Sequence, residues 1–397
     1  MTDYEQCQSQ YGVQSFYFNA DLCILVDKII AMLRILFLLL LIVHGLIHFL
    51  GFVKAFNLAP VQQLTNSISK FNGILWLLSA LLVIIAAFFF FLNCWYWWLL
   101  AVVGVILSQY LIITAWSDAK VGIVANIIVL LVAVAGAAAW NFSEKYRQDV
   151  RRGMNECHEQ QSLLTENDIE LLPSVVQQYI RYTGSLNKPK IENFQVEFKG
   201  RIRKEEKSGW MQFTSEQHNF VKAAKRFFFM KAIMKGLPVA GYHRYINGDA
   251  SMDIRLFSIF RVQYQDGPQI DTAETVTLLN DMCCMAPATL IDKRIKWEQA
   301  DSGKVKAVFT NNGISVTAWL YFNDKGELVN FTSEDRYADM GDGTMKRLRW
   351  STPLGKYKMI NGYMLPTFAK TIYAYPEGDF CYGEFETVNV TYNTGTK

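Results

Sequence analysis

The sequence predicts an α+β membrane protein: an N-terminal four-helix transmembrane bundle, then a curved antiparallel β-sheet domain with one or two packed helices. Three observations lead there. The first 141 residues hold only five of the 36 acidic and five of the 39 basic side chains. Within them lie four mainly apolar runs of about 20 residues, the length that crosses ~30 Å of hydrocarbon. After Pro189, apolar and polar residues alternate between turn dipeptides, the mark of half-buried antiparallel strands.

Residues 1–31 read as a polar N-terminal extension. Met32-Leu33-Arg34, followed at once by an apolar run, reads as a natural beginning and offers an alternative start, which would leave residues 1–31 outside the native protein. The spans 35–56, 72–92, 95–116 and 121–140 build the bundle, residues 32–142. Links as short as Asn93-Cys94 and Ser117 to Lys120 force antiparallel neighbours and an up-down topology. The first span is too long for a cleavable signal peptide and lacks a small-residue cleavage site. Trp95 to Trp98, with Trp140 and Phe142, form an aromatic belt on one interface. Lys28, Arg34, Lys145, Arg147, Arg151 and Arg152 outnumber Lys54, Lys70 and Lys120 on the other side. That bias favours both termini inside and a cytoplasmic β domain at a bacterial inner membrane.

Ionisable groups inside a membrane are costly enough to be functional candidates. His44 and His48 stand at i and i+4 on one face of the first span, ~6 Å apart along its axis. The up-down arrangement puts His48, Ser108, Gln109, Asp118 and Asn126 toward the side away from the β domain, which suggests one polar cluster. Such a cluster would bind a proton, a quinone-like headgroup or a metal. His44 and His48 would be the metal ligands, with Asp118 the nearby carboxylate. The competing reading is neutral histidines that hydrogen-bond across helices as packing glue.

Residues 143–165 read as an exit helix and linker, and 166–397 as the β-rich soluble domain. The run from Glu166 to Tyr182 has helical spacing, with Thr165 as a cap and Gly184 as a stop. Pro173 is expected to break it. Strand patterns follow, among them 251–264 and 346–358 as single strands. Turns at Asn247-Gly248, Asn312-Gly313 and Asn361-Gly362 separate some of them. One helix, from Asp271 to Met285, presents Ala273, Val276, Leu279 and Met282 as an apolar stripe. It is expected to pack into the concave face of the sheet or close one end. A curved, unclosed sheet can enclose a cavity for an apolar ligand.

The net charge of +3 is too mild for nucleic acid. Seven cysteines, odd in number and without C-x-x-C spacing, suggest neither a zinc site nor a redox motif. Adjacent Cys283 and Cys284 are expected as partly buried thiols. No hydrolase, zincin, P-loop or dinucleotide motif occurs, so no catalytic residue is assigned and no cofactor is required. His158, His218 and His243 share no local motif with a nucleophile. In the soluble half, Glu334, Asp335 and Arg336 are the candidate site residues, a structural ion pair being the plainer reading.

The run His44 to Phe52 (HGLIHFLGF), the stretch Thr275 to Leu290 (TVTLLNDMCCMAPATL) and Phe331 to Tyr337 (FTSEDRY) resemble an uncharacterised bacterial family. That family is common in Bacteroidetes-type bacteria and joins a short membrane bundle to a β-rich domain of unknown function. The resemblance covers most of the chain after Met32. The bundle is also similar, more weakly, to DoxX-like four-helix proteins through its histidine-glycine pattern. Neither resemblance implies an established activity. Three functions therefore stand as expectations: a membrane-anchored protein binding an apolar or lipid-like small molecule, a membrane oxidoreductase or proton-coupled component using the histidine pair, and an anchor presenting the β domain to a protein partner.

Overall fold

The computed structural model describes Lys28 and residues 31–157, 162–301 and 303–395. Most of the expected N-terminal extension, with Cys7 and Cys23, lies outside the described residues, as does His158. The chain divides into two compact units, Met1–Asn141 and Phe142–Lys397.

In the first unit, helices α1 (Ala31–Ala55), α2 (Lys70–Phe91), α3 (Trp97–Thr114) and α5 (Gly122–Asn155) are each long and apolar enough to cross a membrane. A short α4 (Trp116–Ala119) sits between α3 and α5. The distribution of side chains is inside out relative to a water-soluble bundle. Leu36, Leu46, Ile106 and Leu131 are more than half exposed, while Ala80, Ala101, Ser79 and Ser108 are fully buried. Such helices keep their apolar surface outward and pack through small residues. Gly51 lies against the Trp76 ring, Gly73 against Ala55 and Gly104 against Val83, so that a Cβ at any of them would collide. Ser69 caps α2 by accepting the Asn72 N–H at 3.1 Å.

The second unit begins inside α5, at Phe142. Two short helices follow, α6 (Glu166–Ile169) and α7 (Ser174–Tyr182), with Pro173 at the N-cap of α7. Asp168 secures the start of α6 by accepting the Thr165 N–H at 2.8 Å. Among the described residues, the sheet has fourteen strands. The first arm holds β1 (Asn193–Ile202), β2 (Met211–Phe220), β3 (Lys225–Met234), β4 (Leu237–Ile246), β5 (Asp249–Leu256) and β6 (Phe260–Asp266). The second holds β7 (Ile295–Asp301), β8 (Lys304–Asn311), β9 (Ile314–Phe322), β10 (Leu328–Asp339), β11 (Met345–Ser351), β12 (Leu354–Ile360), β13 (Tyr363–Tyr375) and β14 (Gly378–Tyr392).

The order is β6-β5-β4-β3-β2-β1-β14-β13-β11-β10-β9-β8-β7, with β12 on β13. Each arm is therefore a meander, and the antiparallel β1–β14 pair joins them. Between the arms in sequence lies α8 (Pro268–Met285), followed by a 3-10 turn, Pro287–Ile291. This helix touches β5 and β6 of one arm and β9, β10 and β13 of the other. Strands so far apart in the order can share one helix only if the sheet curls around it. Side chains bridge the two arms without a ladder: Gln263 and Gln265 of β6 donate to Asp339 at the end of β10 at 3.0 and 2.7 Å, and Asn311 of β8 donates to the Tyr245 hydroxyl of β4 at 2.9 Å. The result is an antiparallel barrel left open between β6 and β7.

Two strand expectations need correction. The pattern 251–264 is two strands, because Phe257 and Ser258 turn the chain with φ of 52° and 59°, a left-handed pair that neither residue type signals. The pattern 346–358 breaks at Thr352-Pro353, where proline has no N–H to continue the ladder. Cys283 and Cys284 are fully rather than partly buried, because α8 is enclosed on every side instead of offering one stripe. Burial pushes both thiols well above their ordinary range, which leaves them protonated and unreactive.

Candidate functional site

In the first unit, His44, Ser108, Gln109 and Asn126 form one hydrogen-bonded group. His44 Nε2 donates to Asn126 Oδ1 at 2.8 Å, Ser108 donates to the same oxygen at 3.0 Å, and Asn126 donates to Gln109 Oε1 at 3.1 Å. His48 Nδ1 donates to the His44 carbonyl oxygen at 2.7 Å. A carbonyl only accepts, so the other nitrogen of neutral His48 carries a lone pair. That atom, Nε2, is buried and has no hydrogen-bond partner among the described residues. The ring faces Trp76 at 5.1 Å.

Asp118 is not with the histidines. It is half-buried and holds the α1–α2 loop, accepting from Thr65 N at 2.6 Å and from the Thr65 hydroxyl at 2.8 Å. Asp118, Thr114, Asn66 and Trp76 line a small cavity of about 30 Å³, room for a water or two. Among the described residues, no three His, Cys, Asp or Glu side chains gather as metal ligands.

In the second unit, Glu334, Asp335 and Arg336 diverge. A bulge shifts the β10–β11 register between Ser333 and Arg336, and the β9–β10 ladder ends at Thr332. Side chains take over there: Asp335 accepts the Thr317 N–H at 2.6 Å, and Ser333 donates to Thr317 O at 2.7 Å. Asp335 also pairs with Arg347. Glu334 offers its carbonyl to Arg347 at 2.8 Å. Arg336 turns inward to the Ala273 carbonyl at 2.8 Å, to Thr277 and to the Tyr373 hydroxyl at 3.1 Å.

Arg336 thereby joins a buried polar network that the sequence did not announce. Arg226 on β3 contacts Glu274 at 2.9 Å and Asp281 at 2.6 Å on α8, and donates to Gln217 at 3.0 Å. Glu274 also faces His243 at 3.6 Å and Arg336 at 4.0 Å. Burial pushes the Glu274 carboxyl up, but Arg226, His243 and Arg336 together hold it well below the usual carboxylate range. Asp281 moves the other way, because burial outweighs the pull of Arg226. Two arginines against two carboxylates balance the charge inside the sheet. Glu274 and Asp281, seven residues apart, were legible only as helix i and i+7 positions; their strand partner was not.

The outer face of the sheet is partly covered by α5. Phe142 and Tyr146 pack on Phe229, the Tyr146 hydroxyl lies 2.7 Å from His218 Nδ1, and Asp149 accepts from Tyr242 at 2.8 Å. Beside this cover lies a groove of about 280 Å³ on β1, β2, β3 and β14. Val388 is the extra residue of a bulge opposite Glu197 and Phe198 and stays 54% exposed, so an apolar side chain points into the groove beside Phe229. Bulges re-aim side chains in this way. Glu197 and Glu216 stand directly opposite each other, as do Lys199 and Thr214, with Lys231 next across β3. Facing carboxylates repel, and the two lysines flank them.

Fold and site define a chain that joins four helices apolar enough to cross a membrane to an open antiparallel barrel filled by its own helix. The chain belongs to a family of unknown function, DUF6544, whose model matches residues 162–385. That match lies wholly in the second unit and leaves the four long helices outside it. No curated protein matches the chain. Among solved structures, a LolA superfamily protein from Nitrosomonas europaea is similar at 11% identity, over 56% of this chain and 94% of that one, with a TM-score of 0.28. A likeness of that size decides neither fold nor ligand.

Proposed function

We propose that this is a membrane-anchored binding protein that takes an apolar or amphipathic, lipid-like small molecule on the outer face of β1, β2, β3 and β14. The four long helices anchor it in a bilayer, and the second unit lies on the cytoplasmic side, as the basic residues flanking the helices favour. The observation that carries the reading is the groove in which bulged Val388 and Phe229 make an apolar floor beside Glu197, Glu216, Lys199 and Lys231. The concave interior is not the binding place, because α8 and its buried neighbours occupy it. An apolar surface ringed by a few polar groups is the usual form of a small-molecule site, and the mixed rim suits a zwitterionic head. Full-length protein titrated with a fluorescent single-chain lipid should bind it. Val388→Arg should weaken binding by about ten-fold, the order expected for a charge placed on an apolar contact; unchanged affinity would overturn the assignment.

A second reading, proton uptake at the histidine pair, is supported by the unpartnered Nε2 of His48. Neutral His48 would accept a proton there, while its Nδ1 contact and the Asn126 contact of His44 hold both rings in place. In reconstituted vesicles, His48→Gln should abolish proton-coupled changes in the infrared imidazole bands. Identical spectra for the variant and the parent protein would dismiss this role.

A further inference from the structure

We propose that the tips of the β3–β4 and β5–β6 hairpins form a membrane-contacting edge of the second unit, seated in the headgroup layer of an anionic bilayer. The proposal rests on the reading that the four long helices cross that bilayer. Both tips lie at one end of the sheet: Met234 pairs with Leu237, Leu256 pairs with Phe260, and Val239 pairs with Leu256 between them. They are apolar and exposed, Phe260 at 62%, Val262 at 53%, Leu237 at 41% and Ile259 at 39%. Exposed apolar side chains gathered in one place mark an interaction surface.

Turn chemistry sets these tips apart. Phe257 and Ser258 both adopt positive φ, a conformation that strains a bulky residue and favours Asn or Gly. The hairpins at the other end of the sheet use Asn247-Gly248 and Asn312-Gly313, which meet each other there. Local turn preference therefore does not explain the apolar tips.

The course of α5 says which partner they meet. Phe142 comes two residues after Trp140, the end of the apolar run. Its ring lies 4.5 Å from the Arg255 guanidinium carbon, and Arg255 stands two residues before Phe257. Farther along α5, Gly153 meets Phe220 and Glu156 pairs with Lys225, both at the opposite end of β2 and β3. The chain thus enters this unit at the end that carries the apolar tips. Charge agrees: Lys235 occupies the β3–β4 turn, and Arg255 and Arg261 share the single carboxylate of Asp253. Basic residues beside exposed apolar ones match a layer of anionic lipid heads.

The full chain should be reconstituted in vesicles of phosphatidylserine and phosphatidylcholine doped with a phospholipid that carries a photoreactive acyl chain. After irradiation, lipid adducts are expected on the peptide spanning 257–264 as well as on the long helices. The double substitution Ile259→Asp, Phe260→Asp should cut the adducts at 257–264 by about ten-fold while those on the helices persist, as burying charge in the membrane interface is unfavourable. Adducts on the helices but not on 257–264 in the parent protein would overturn the proposal alone. Equal labelling of the Asn247-Gly248 and Asn312-Gly313 tips would do the same. No adducts on any helix would overturn the anchorage as well.

Discussion

Glu274 is the side chain on which the interior of the β domain turns. It is buried on α8 among Arg226, His243 and Arg336, and removing it would leave Arg336 without its carboxylate neighbour and Arg226 with Asp281 alone. Glu274→Ala should lower the unfolding free energy by about 3–5 kcal/mol, the usual penalty for breaking a buried pair, measured by denaturant titration of the detergent-solubilised chain. The sign of the pH effect follows from its depressed folded value: its contribution is complete above the unfolded carboxylate range and disappears as acid protonates it in the fold. Periodicity placed Glu274 on a helix but not inside the protein, because a charged residue on an amphipathic pattern reads as solvent-facing until a second element covers it. The same holds for the expected trio Glu334, Asp335 and Arg336, in which a bulge sends neighbours to different surroundings.

At the scale of elements, the C-terminal part of α5 is fixed to the outer sheet by Tyr146 on His218, Asp149 on Tyr242 and Glu156 on Lys225. Burial lowers the His218 imidazole to about 4 from 6.5. Between those values the unfolded chain binds a proton that the folded chain refuses, so stability is complete above pH 6.5 and falls as the pH drops toward 4. The loss should be on the order of 3 kcal/mol. Urea unfolding followed at pH 7 and pH 5 should show the decline, and His218→Gln should flatten it; an equal slope in the variant would refute the assignment. The sequence marked this segment as polar and helical. Which of its faces met a sheet depended on β2 to β4, more than fifty residues downstream.

For the whole molecule, the division at Phe142 matters for how the β domain is isolated. A fragment beginning at Ser162 omits the part of α5 that covers Phe220, Phe227, Phe229 and Tyr242, all nearly inaccessible in the fold. A fragment of residues 142–397 retains it. The longer piece should remain monomeric at concentrations where the piece 162–397 self-associates, compared by light scattering, because exposing that aromatic surface creates an adhesive patch. Equal behaviour of the two pieces would show that the helix contributes little cover.

By itself the sequence determined what short-range chemistry controls. Four apolar runs became four helices long enough to cross a membrane, Pro173 separated α6 from α7, and Asn-Gly pairs set several hairpins, because hydropathy period and turn preference act over a few residues. The tertiary structure alone decided which residues met. Of the two places expected for α8, it chose the concave face of the sheet, which the helix fills, and it joined β1 to β14 across the length of the domain. It also gathered Arg226, Glu274, Asp281 and Arg336, and opened the groove at Val388 on the other face. Those contacts depend on long-range strand pairing and on a bulge that inverts which side chains face out, and neither leaves a local trace in the chain.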